Sequence, residues 1–326
     1  MTMTQIGWHW QALRLASVLS LLCVAYPSRA DDGPPAGIQT SPTGITHSFL
    51  VCGATTAIIG EDGKPIVAVP YNTRDGYVLV GGNLLLAVSK SKAFPGGGIV
   101  ELTHDGATTL FSWKGTQSEV NSAQLVGDDG HIVTTEAGSK PRLLEIDRAG
   151  KIHVEFPLRC QSTDAHMETR MARKLPNGNY LVPHLLDKAV REYTPEGKIV
   201  WEYHTPQEPK ECWPFTAIRL PDGHTLVACT HGNLVIEVDK DAHEVWRLAN
   251  ADLPQPLIKD ACGVQRLANG NTVVTSYGAA GADEVKMLEV TSEKKLVWNY
   301  KSRLAHGVHE FQILTTNGKP EPAIQK

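Results

Sequence analysis

The sequence predicts an all-β fold, a six-bladed β-propeller closed by strands from both termini. Turn glycines recur at positions 82, 130, 178, 223, 270 and 318, which are 48, 48, 45, 47 and 48 residues apart. A second marker recurs in the same phase and is expected to begin the third strand of each repeat. Its six positions are Ile58, Glu101, Glu145, Glu192, Glu237 and Glu289. About four strands fit into each interval, and that is the size of one propeller blade.

The clearest copy of the repeat runs from Leu175 to Tyr203. Its dipeptide Asn177-Gly178 favours a β-hairpin with a type I′ turn, in which both central residues have positive φ. A second turn follows at residues 195–197, and residues 198–203 alternate between apolar and polar as a further strand. We therefore expect each repeat to be an antiparallel sheet.

The two ends of the chain complete one another. The first copy, residues 47–69, contains only the later strands of a repeat, and the missing first strand is found at residues 308–314. We expect these two segments to build one blade together. A ring closed in this way has no free sheet edge at the junction.

Two recurring residue types are expected to be architectural. Trp201, Trp246 and Trp298 stand at one place in successive repeats, which favours packing between blades over a ligand platform. The glutamates of the second marker are expected to be hydrogen-bond partners between blades, because five equivalent carboxylates cannot all surround one substrate.

The N-terminus is typical of a secretory signal. Arg14 precedes the apolar run Leu15–Tyr26, and residues 28–30 form a small-x-small cleavage site. The run is too short to span a bilayer comfortably. The predicted organisation is a signal peptide (1–30), a disordered lead-in (31–46), the propeller (47–318) and a tail (319–326). An exported protein, periplasmic or secreted, is expected, with no membrane span after cleavage.

Charge and cysteine content narrow the class of protein further. The formal net charge is −4, so nothing favours nucleic acid as a partner. Removal of the signal would leave five cysteines, an odd number. One disulfide is expected among Cys160, Cys212 and Cys262, and the sequence leaves the pair open.

Polar residues gather where the chain approaches each first strand, and these approaches are expected to meet at one mouth of the central channel. A convergence of polar groups in a concave place is typical of a binding site. The predicted ligand-binding residues are Arg170, Glu119, Asn121, Trp213 and Glu168. Arg170 would orient an anionic or sugar ligand; the alternative is a structural ion pair with Glu168 or Glu119.

Three histidines in these approaches, His166, His306 and His309, are the candidate catalytic residues. As an alternative, a soft metal ion such as copper or zinc could be held by histidines of the mouth together with cysteines that approach from neighbouring blades. That set is His166, Cys212, Cys262 and His306. No cofactor is predicted, and histidines hydrogen-bonded across a wet channel remain the simplest interpretation.

The repeat Leu-Pro-Asn-Gly-Asn-x-Leu-Val, followed by Gly-Lys-x-Val-Trp-Glu-Tyr, resembles bacterial exported propellers of the quinoprotein-like and arylsulfotransferase-like kind. The resemblance is clearest at residues 175–203, 220–248 and 267–300. Quinoprotein dehydrogenases have eight blades and metal-binding carboxylates around the quinone, which this chain lacks. Arylsulfotransferases are six-bladed with hub histidines. Their His-x-Asn-Ser type of segment resembles residues 119–122, where Glu119 stands at the histidine position.

The sequence therefore predicts an exported propeller that binds a small polar ligand, such as a saccharide, or a protein partner at the channel mouth. The alternatives are a hub-histidine enzyme (an arylsulfotransferase-like transferase, a lyase or a hydrolase) and a metalloprotein with histidine and cysteine ligands. The enzyme would use His306 or His309 as nucleophile or base, with Arg170 orienting an anion.

Overall fold

The computed structural model describes residues 36–127, 129–303 and 307–322, and within that part the chain is almost entirely β-structure. Two short 3-10 helices, Ala165–Met167 and Asn250–Asp252, are the only helices there. The strands are β1 (Ile38–Thr40), β2 (His47–Cys52), β3 (Thr56–Ile59), β4 (Pro65–Val69), β5 (Thr73–Val78), β6 (Leu84–Val88), β7 (Gly98–Leu102), β8 (Thr109–Lys114), β9 (Glu119–Val120), β10 (Gln124–Val126), β11 (His131–Ala137), β12 (Arg142–Ile146), β13 (Ile152–Pro157), β14 (Arg173–Lys174), β15 (Tyr180–His184), β16 (Ala189–Tyr193), β17 (Ile199–His204), β18 (Cys212–Arg219), β19 (Thr225–His231), β20 (Leu234–Val238), β21 (Glu244–Ala249), β22 (Ala261–Arg266), β23 (Thr272–Ser276), β24 (Val285–Val290), β25 (Leu296–Lys301), β26 (Glu310–Thr316) and β27 (Lys319–Pro320).

Six antiparallel sheets form the blades, which confirms the predicted fold class. Blade 1 contains β26, β2, β3 and β4, with β27 at its inner edge. Blades 2, 3, 4 and 5 contain β5–β8, β9–β13, β14–β17 and β18–β21, and blade 6 contains β22–β25 with β1 at its outer edge. Around a central hub, the innermost strands of blades 5, 6, 1 and 2 contact one another in turn, and so do those of blades 3 and 4.

The ring is closed by pairing between the two ends of the chain, as predicted. Strand β2 pairs with β26 in antiparallel register, from His47 opposite Thr316 to Cys52 opposite Glu310. The hydroxyl groups of Ser48 and Thr315 lie 2.7 Å apart across this junction.

The predicted boundaries of the propeller are too narrow at both ends. Part of the lead-in that was expected to be disordered forms β1, which pairs with β25 from Ile38 opposite Lys301 to Thr40 opposite Asn299. The side-chain amide of Gln39 fixes it further by donating to the carbonyl of His47 at 2.8 Å. At the other end, β27 adds residues of the expected tail to blade 1. The predicted signal peptide lies outside the described residues.

The turn at Asn177-Gly178 is a hairpin, but its type differs from the prediction. Only Gly178 has positive φ (88°), whereas a type I′ turn would require it at Asn177 as well. The amide of Gly178 donates to the carbonyl of Leu175 at 2.9 Å. Pro176 fixes its own φ near −65°, which suits the first central position of a type I turn, so the glycine becomes the following left-handed residue.

The hydrophobic core lies between the blades. Seven buried apolar clusters occur in the described part of the chain; six of them each join two neighbouring blades, and the smaller seventh lies at the hub. The second and third strands of the blades supply most of these residues; β6 and β20, for example, are buried at every position. The outer strands β8 and β17 alternate mainly between exposed and partly buried residues, so only one of their faces packs against a cluster.

The recurring glutamate lies near the end of the third strand, not at its start, and there it links one blade to the next. Glu192 of blade 4 accepts a hydrogen bond from Asn179 at 2.7 Å, in its own blade, and one from Arg219 of blade 5 at 2.9 Å. Four other markers repeat this arrangement with a cation or histidine of the next blade. The inter-blade pairs are Glu101–Arg148, Glu145–Lys174, Glu237–Arg266 and Glu289–His47. The expected architectural role is confirmed.

The tryptophan series also packs between blades, as predicted. The indole N–H of Trp201 donates to the carbonyl of Lys240 in the next blade at 2.9 Å, and that of Trp246 donates to Ser292 at 2.7 Å. Trp298 is fully buried and donates instead to Gln39 of β1. These side chains are therefore not available as a ligand platform.

The expected disulfide is absent from the described residues, in which cysteines 52, 160, 212, 229 and 262 are free thiols. The three candidates lie in different places. Cys160 faces His184, Cys212 packs in the cluster between blades 4 and 5, and Cys262 packs against Phe215. None of the helices in the described residues is long and apolar enough to cross a lipid bilayer.

Replacing Glu145 by glutamine should lower the free energy of unfolding by about 1–3 kcal/mol at neutral pH, because it weakens buried hydrogen bonds between blades 3 and 4. Burial alone would raise the pKa of Glu145, but hydrogen bonds from Lys174, Tyr180 and His131 hold it below its ordinary value. The stabilisation is therefore present above about pH 4.3 and lost as the pH falls through the folded-state pKa.

Denaturant unfolding as a function of pH checks this prediction. The matched control is Glu196→Gln, since Glu196 is exposed in a turn. A Glu145→Gln variant as stable as this control at pH 7 would contradict the linking role.

Candidate functional site

The six inner strands begin at the same end of the hub, and the approaches to them form the predicted mouth. Within the described residues this mouth contains charged groups from blades 2 to 4 and aromatic groups from blades 1, 5 and 6. Its main members are Arg74, Glu119, His166, Arg170, Phe215, Tyr277 and His309. An ion-pair network closes the hub beneath them.

The network beneath the mouth is centred on Arg173 of blade 4. Its guanidinium donates to both carboxylate oxygens of Asp75 in blade 2, at 2.7 and 3.1 Å, and lies 3.9 Å from Glu310 of blade 1. Glu310 also accepts from the hydroxyl of Thr216 in blade 5 at 2.8 Å. Burial alone would lower the pKa of Arg173, but the Asp75 carboxylate raises it. These opposite charges compensate one another, so the network serves as a structural plug beneath the mouth.

The charged side of the mouth is centred on Glu119. Its carboxylate lies 3.3 Å from the ring of His166, 3.5 Å from Arg74 and 3.7 Å from Lys90. Burial alone would raise the pKa of Glu119, but the hydrogen bond with His166 and the charges of Arg74 and Arg170 lower it to about 2. Glu119 is therefore an anion at neutral pH, surrounded by cations that outnumber it.

Arg170 is buried at the centre of the mouth, with 2% of its surface exposed. Its guanidinium donates to the carbonyl groups of Thr169 and His166 and lies 5.5 Å from the centre of the Phe215 ring. Burial and the nearby charge of Arg74 lower its pKa to about 9, so it remains positive at neutral pH. The predicted alternative, an ion pair with Glu168 or Glu119, is wrong: it is Arg74 that pairs with Glu119.

The aromatic side of the mouth is a stack of three rings. The imidazole of His309 lies parallel to the phenol of Tyr277, with ring centres 3.9 Å apart, and parallel to Phe215 at 5.8 Å. Burial lowers the pKa of His309 well below its ordinary value, and the charges of Arg74 and Arg170 lower it further. The imidazole is therefore neutral at pH 7 and offers one basic nitrogen.

Several buried polar atoms at the mouth have no hydrogen-bond partner among the residues that the structure describes. They are Oδ1 of Asn121, Oγ1 of Thr169, Nε of Arg170 and Nδ1 of His309. Buried polar groups in proteins are nearly always paired, and each exception costs about 1–3 kcal/mol unless water or a ligand supplies the partner. The set contains donors and acceptors, as a polar ligand would require.

The predicted site residues are only partly brought together. His166, Glu119, Asn121, Arg170 and His309 meet at the mouth as described. Glu168 is buried beside it and accepts from the amide of Gly138 at 2.9 Å. Trp213, in β18 of blade 5, stacks on His231 at the end of β19, with ring centres 4.2 Å apart. His306 lies outside the described residues.

Three of the four members of the alternative metal set lie in the described part of the chain, and His306 does not. His166, Cys212 and Cys262 are not within ligand distance of one another; the single cluster of potential ligands in that part is Asp222, His224 and Glu237. Glu237 in this cluster already pairs with Arg266 of the next blade at 2.6 Å, so the cluster is one of the links between blades.

Sequence reasoning missed Arg74, Lys90, Phe215 and Tyr277 as members of the site. Arg74 and Phe215 lie in approaches that the sequence had singled out, and their basic and aromatic character was the available signal. Lys90 and Tyr277 lie at the ends of second strands, at the same end of the hub as the starts of the first strands. The reversal of direction within a hairpin therefore predicts their position.

A small cleft lies at the mouth. Its volume is about 110 Å³, and it is lined by Arg74, Ser89, Lys90, Glu119 and Val120. A larger cavity, with a volume of about 690 Å³, lies beside it on blade 3. The chemistry is concentrated at the smaller one, where charged groups from three blades meet.

Comparisons with known proteins agree with the fold. Residues 109–253 match the family described as Mal s 1 allergenic protein-like. A structure of a protein of unknown function from Bacteroides caccae is similar, with a TM-score of 0.70 and 20% identity over 82% of this chain and 98% of that one. No protein of curated function matches the sequence.

Two structures of virginiamycin B lyase from Staphylococcus aureus are also similar. One has a TM-score of 0.55 and 15% identity over 80% of this chain and 87% of that one. The other is of a catalytically inactive variant, in which a histidine is replaced by alanine, together with quinupristin. It has a TM-score of 0.54 and 15% identity over 84% of this chain and 96% of that one. At this identity the likeness shows the fold: the structural neighbours are β-propellers, some of them lyases and some of unknown function.

The neutral state of His309 predicts a pH dependence of stability. The unfolded chain protonates this residue below about pH 6.5 while the folded protein does not, so stability falls as the pH drops. When the pH is lowered from about 7.5 to about 5.5, the free energy of unfolding should therefore fall by about 1 kcal/mol less in a His309→Phe variant than in the wild type. Denaturant unfolding across this range checks the difference.

Phe215→Leu is the matched control, because it alters the same stack without removing a titratable group. Its stability should change with pH in parallel with the wild type. A His309→Phe curve that also runs parallel to the wild type would show that His309 titrates normally in the folded protein.

Proposed function

We propose that the chain binds a small acidic saccharide, or a molecule of the same chemistry, at the mouth of the propeller. The observation that carries this proposal is the group of unpartnered buried polar atoms on Asn121, Thr169, Arg170 and His309. Hydroxyl groups of a sugar both donate and accept hydrogen bonds, so one ring can satisfy the oxygen acceptors and the guanidinium donor together.

The charges at the mouth favour an anionic form of this ligand. Arg74 and Lys90 share the single carboxylate of Glu119, and Arg170 forms no ion pair within 4 Å among the described residues. Arginine is well suited to a carboxylate because its planar donors match the two oxygens of that group. A carboxylate in the small cleft would complete the coordination of Arg74.

The aromatic stack supports the same class of ligand. Tyr277, His309 and Phe215 form a parallel set of rings beside the charged groups. Sites of this kind combine apolar and aromatic surface with a few polar groups that fix orientation. The carbon-bound hydrogens of a sugar ring give it an apolar face that can pack there.

A second candidate function is a lyase in which His309 is the general base. It is favoured by the neutral, buried imidazole with an unpartnered Nδ1, and structural neighbours include lyases. In such an elimination Nδ1 would take the proton next to the substrate carboxylate. The released electron pair would form a carbon–carbon double bond as the β oxygen leaves and is protonated by solvent. Arg170 would stabilise the negative charge that develops on the carboxylate.

Isothermal titration of the purified chain with galacturonic acid and with neutral galactose tests the proposal. The acidic sugar should bind, and the neutral one should bind at least about tenfold more weakly, because it lacks the partner of the cations. Arg74→Ala should remove that preference. Lys240→Ala, an exposed lysine in an outer turn, is the control and should bind like the wild type.

Equal affinity for the two sugars, or no binding of either, would overturn the proposed ligand class.

The His309→Ala variant separates the two functions. If the protein is a lyase, the wild type forms an unsaturated product from a uronic-acid oligomer and the variant loses about 10²–10⁴-fold in rate. A binding protein forms no product in either case.

Export, which the N-terminal sequence predicts, is proposed for the same protein.

A further inference from the structure

Blade 3 carries a groove with a volume of about 690 Å³. Ligand-binding cavities in proteins are commonly about 300–1,000 Å³. Its walls come from the approach to β9, from the turn between β11 and β12, and from the end of β13. The lining residues are Thr116, Gln117, Ser139, Lys140, Pro141, Arg142, Glu155, Pro157 and Leu158.

The groove begins where the mouth ends. Thr116 and Gln117 line the groove, and Glu119 and Val120, two or three residues further along, line the small cleft of the mouth. Because consecutive Cα atoms are about 3.8 Å apart, the two cavities flank the same short segment of chain. The cleft, at about 110 Å³, is too small for a whole sugar oligomer. A ligand longer than one unit must therefore continue outside it.

The walls of the groove are held rigidly before any ligand arrives. The amide of Lys140 donates to the side-chain oxygen of Gln117 at 2.8 Å, which fixes the turn against the approach to β9. Arg142 donates to Glu136 at 2.8 Å and also to Glu155 and to Thr116. A preformed surface loses little conformational entropy when it binds.

The chemistry of the groove matches the ligand class proposed for the mouth. Pro141, Pro157 and Leu158 provide apolar surface on which sugar rings can pack. Arg142 is neutralised by two glutamates, whereas the exposed ammonium of Lys140 has no ion-pair partner among the residues that the structure describes. These four charges sum to zero, and the groove offers the unpaired ammonium of Lys140 and the nearby hydroxyl of Ser139.

We propose that this groove binds the second and later units of an acidic oligosaccharide whose first unit lies at the mouth. The inference rests on the proposed function and extends it from a single sugar to a chain. A carboxylate of a later unit would pair with Lys140, while the rings lie along the two prolines. The ligand would thus run outward from the hub over blade 3.

Titration calorimetry with galacturonic acid and with its tetramer tests this inference. The tetramer should bind at least about tenfold more tightly than the single sugar, because it adds contacts in the groove. Ser139→Trp, which fills the groove, and Lys140→Ala, which removes the cation from an exposed position, should each reduce that advantage and leave the affinity for the single sugar unchanged. Lys151→Ala, an exposed lysine in the outer turn of the same blade, should behave like the wild type.

The outcomes separate the two proposals. If both sugars bind equally, or the tetramer keeps its advantage in both groove variants, the groove proposal is overturned and the site at the mouth stands. If neither sugar binds, both are overturned. If the tetramer binds and responds to Ser139→Trp but not to Arg74→Ala, the groove is a binding site and the proposed role of the mouth is wrong.

Discussion

The structure depends on the antiparallel pairing of β2 with β26, because this pairing joins residues that are more than 250 positions apart and closes the ring. It places the inner strand of blade 1 between blades 2 and 6. His309 and Glu310 thereby reach the mouth and the plug, where they meet Tyr277 and the Arg173–Asp75 pair. Without the closure, the hub would lose one of its six walls and the groups that this wall carries.

The hub divides its charged groups into two layers with different roles. In the lower layer, the charge of Arg173 is compensated by Asp75 and Glu310, which lowers the cost of burying it, although its Nε has no partner among the described residues. In the upper layer, Arg170 and His309 keep atoms that have no partner among the described residues. The layers differ in how their charges are paired: Arg173 has a carboxylate partner, whereas Arg170 forms no ion pair within 4 Å among the described residues. This difference is the reason for placing the ligand in the upper layer.

Much of the fold follows from the sequence because the repeat encodes it locally. Glu192 and its equivalents recur with the turn glycine, since the residue after that glycine and a cation of the next blade both bind the carboxylate. The strand β1 could not be predicted, because Ile38–Thr40 is too short to show a pattern and pairs only once blade 6 exists. The ion pairs Arg173–Asp75 and Arg74–Glu119 likewise could not be predicted from the sequence, because each joins residues of different blades that are far apart along the chain.

The most direct test of this account is a disulfide across the closure. Ser48 and Thr315 face each other with their hydroxyls 2.7 Å apart, so Ser48→Cys with Thr315→Cys should form a bond within one chain under mild oxidation. The closed loop is long, and the bond should raise stability by up to about 5 kcal/mol, measured by denaturant unfolding with and without reductant. Peptide mapping that finds both new thiols free, or joined only between chains, would contradict the closed six-bladed ring.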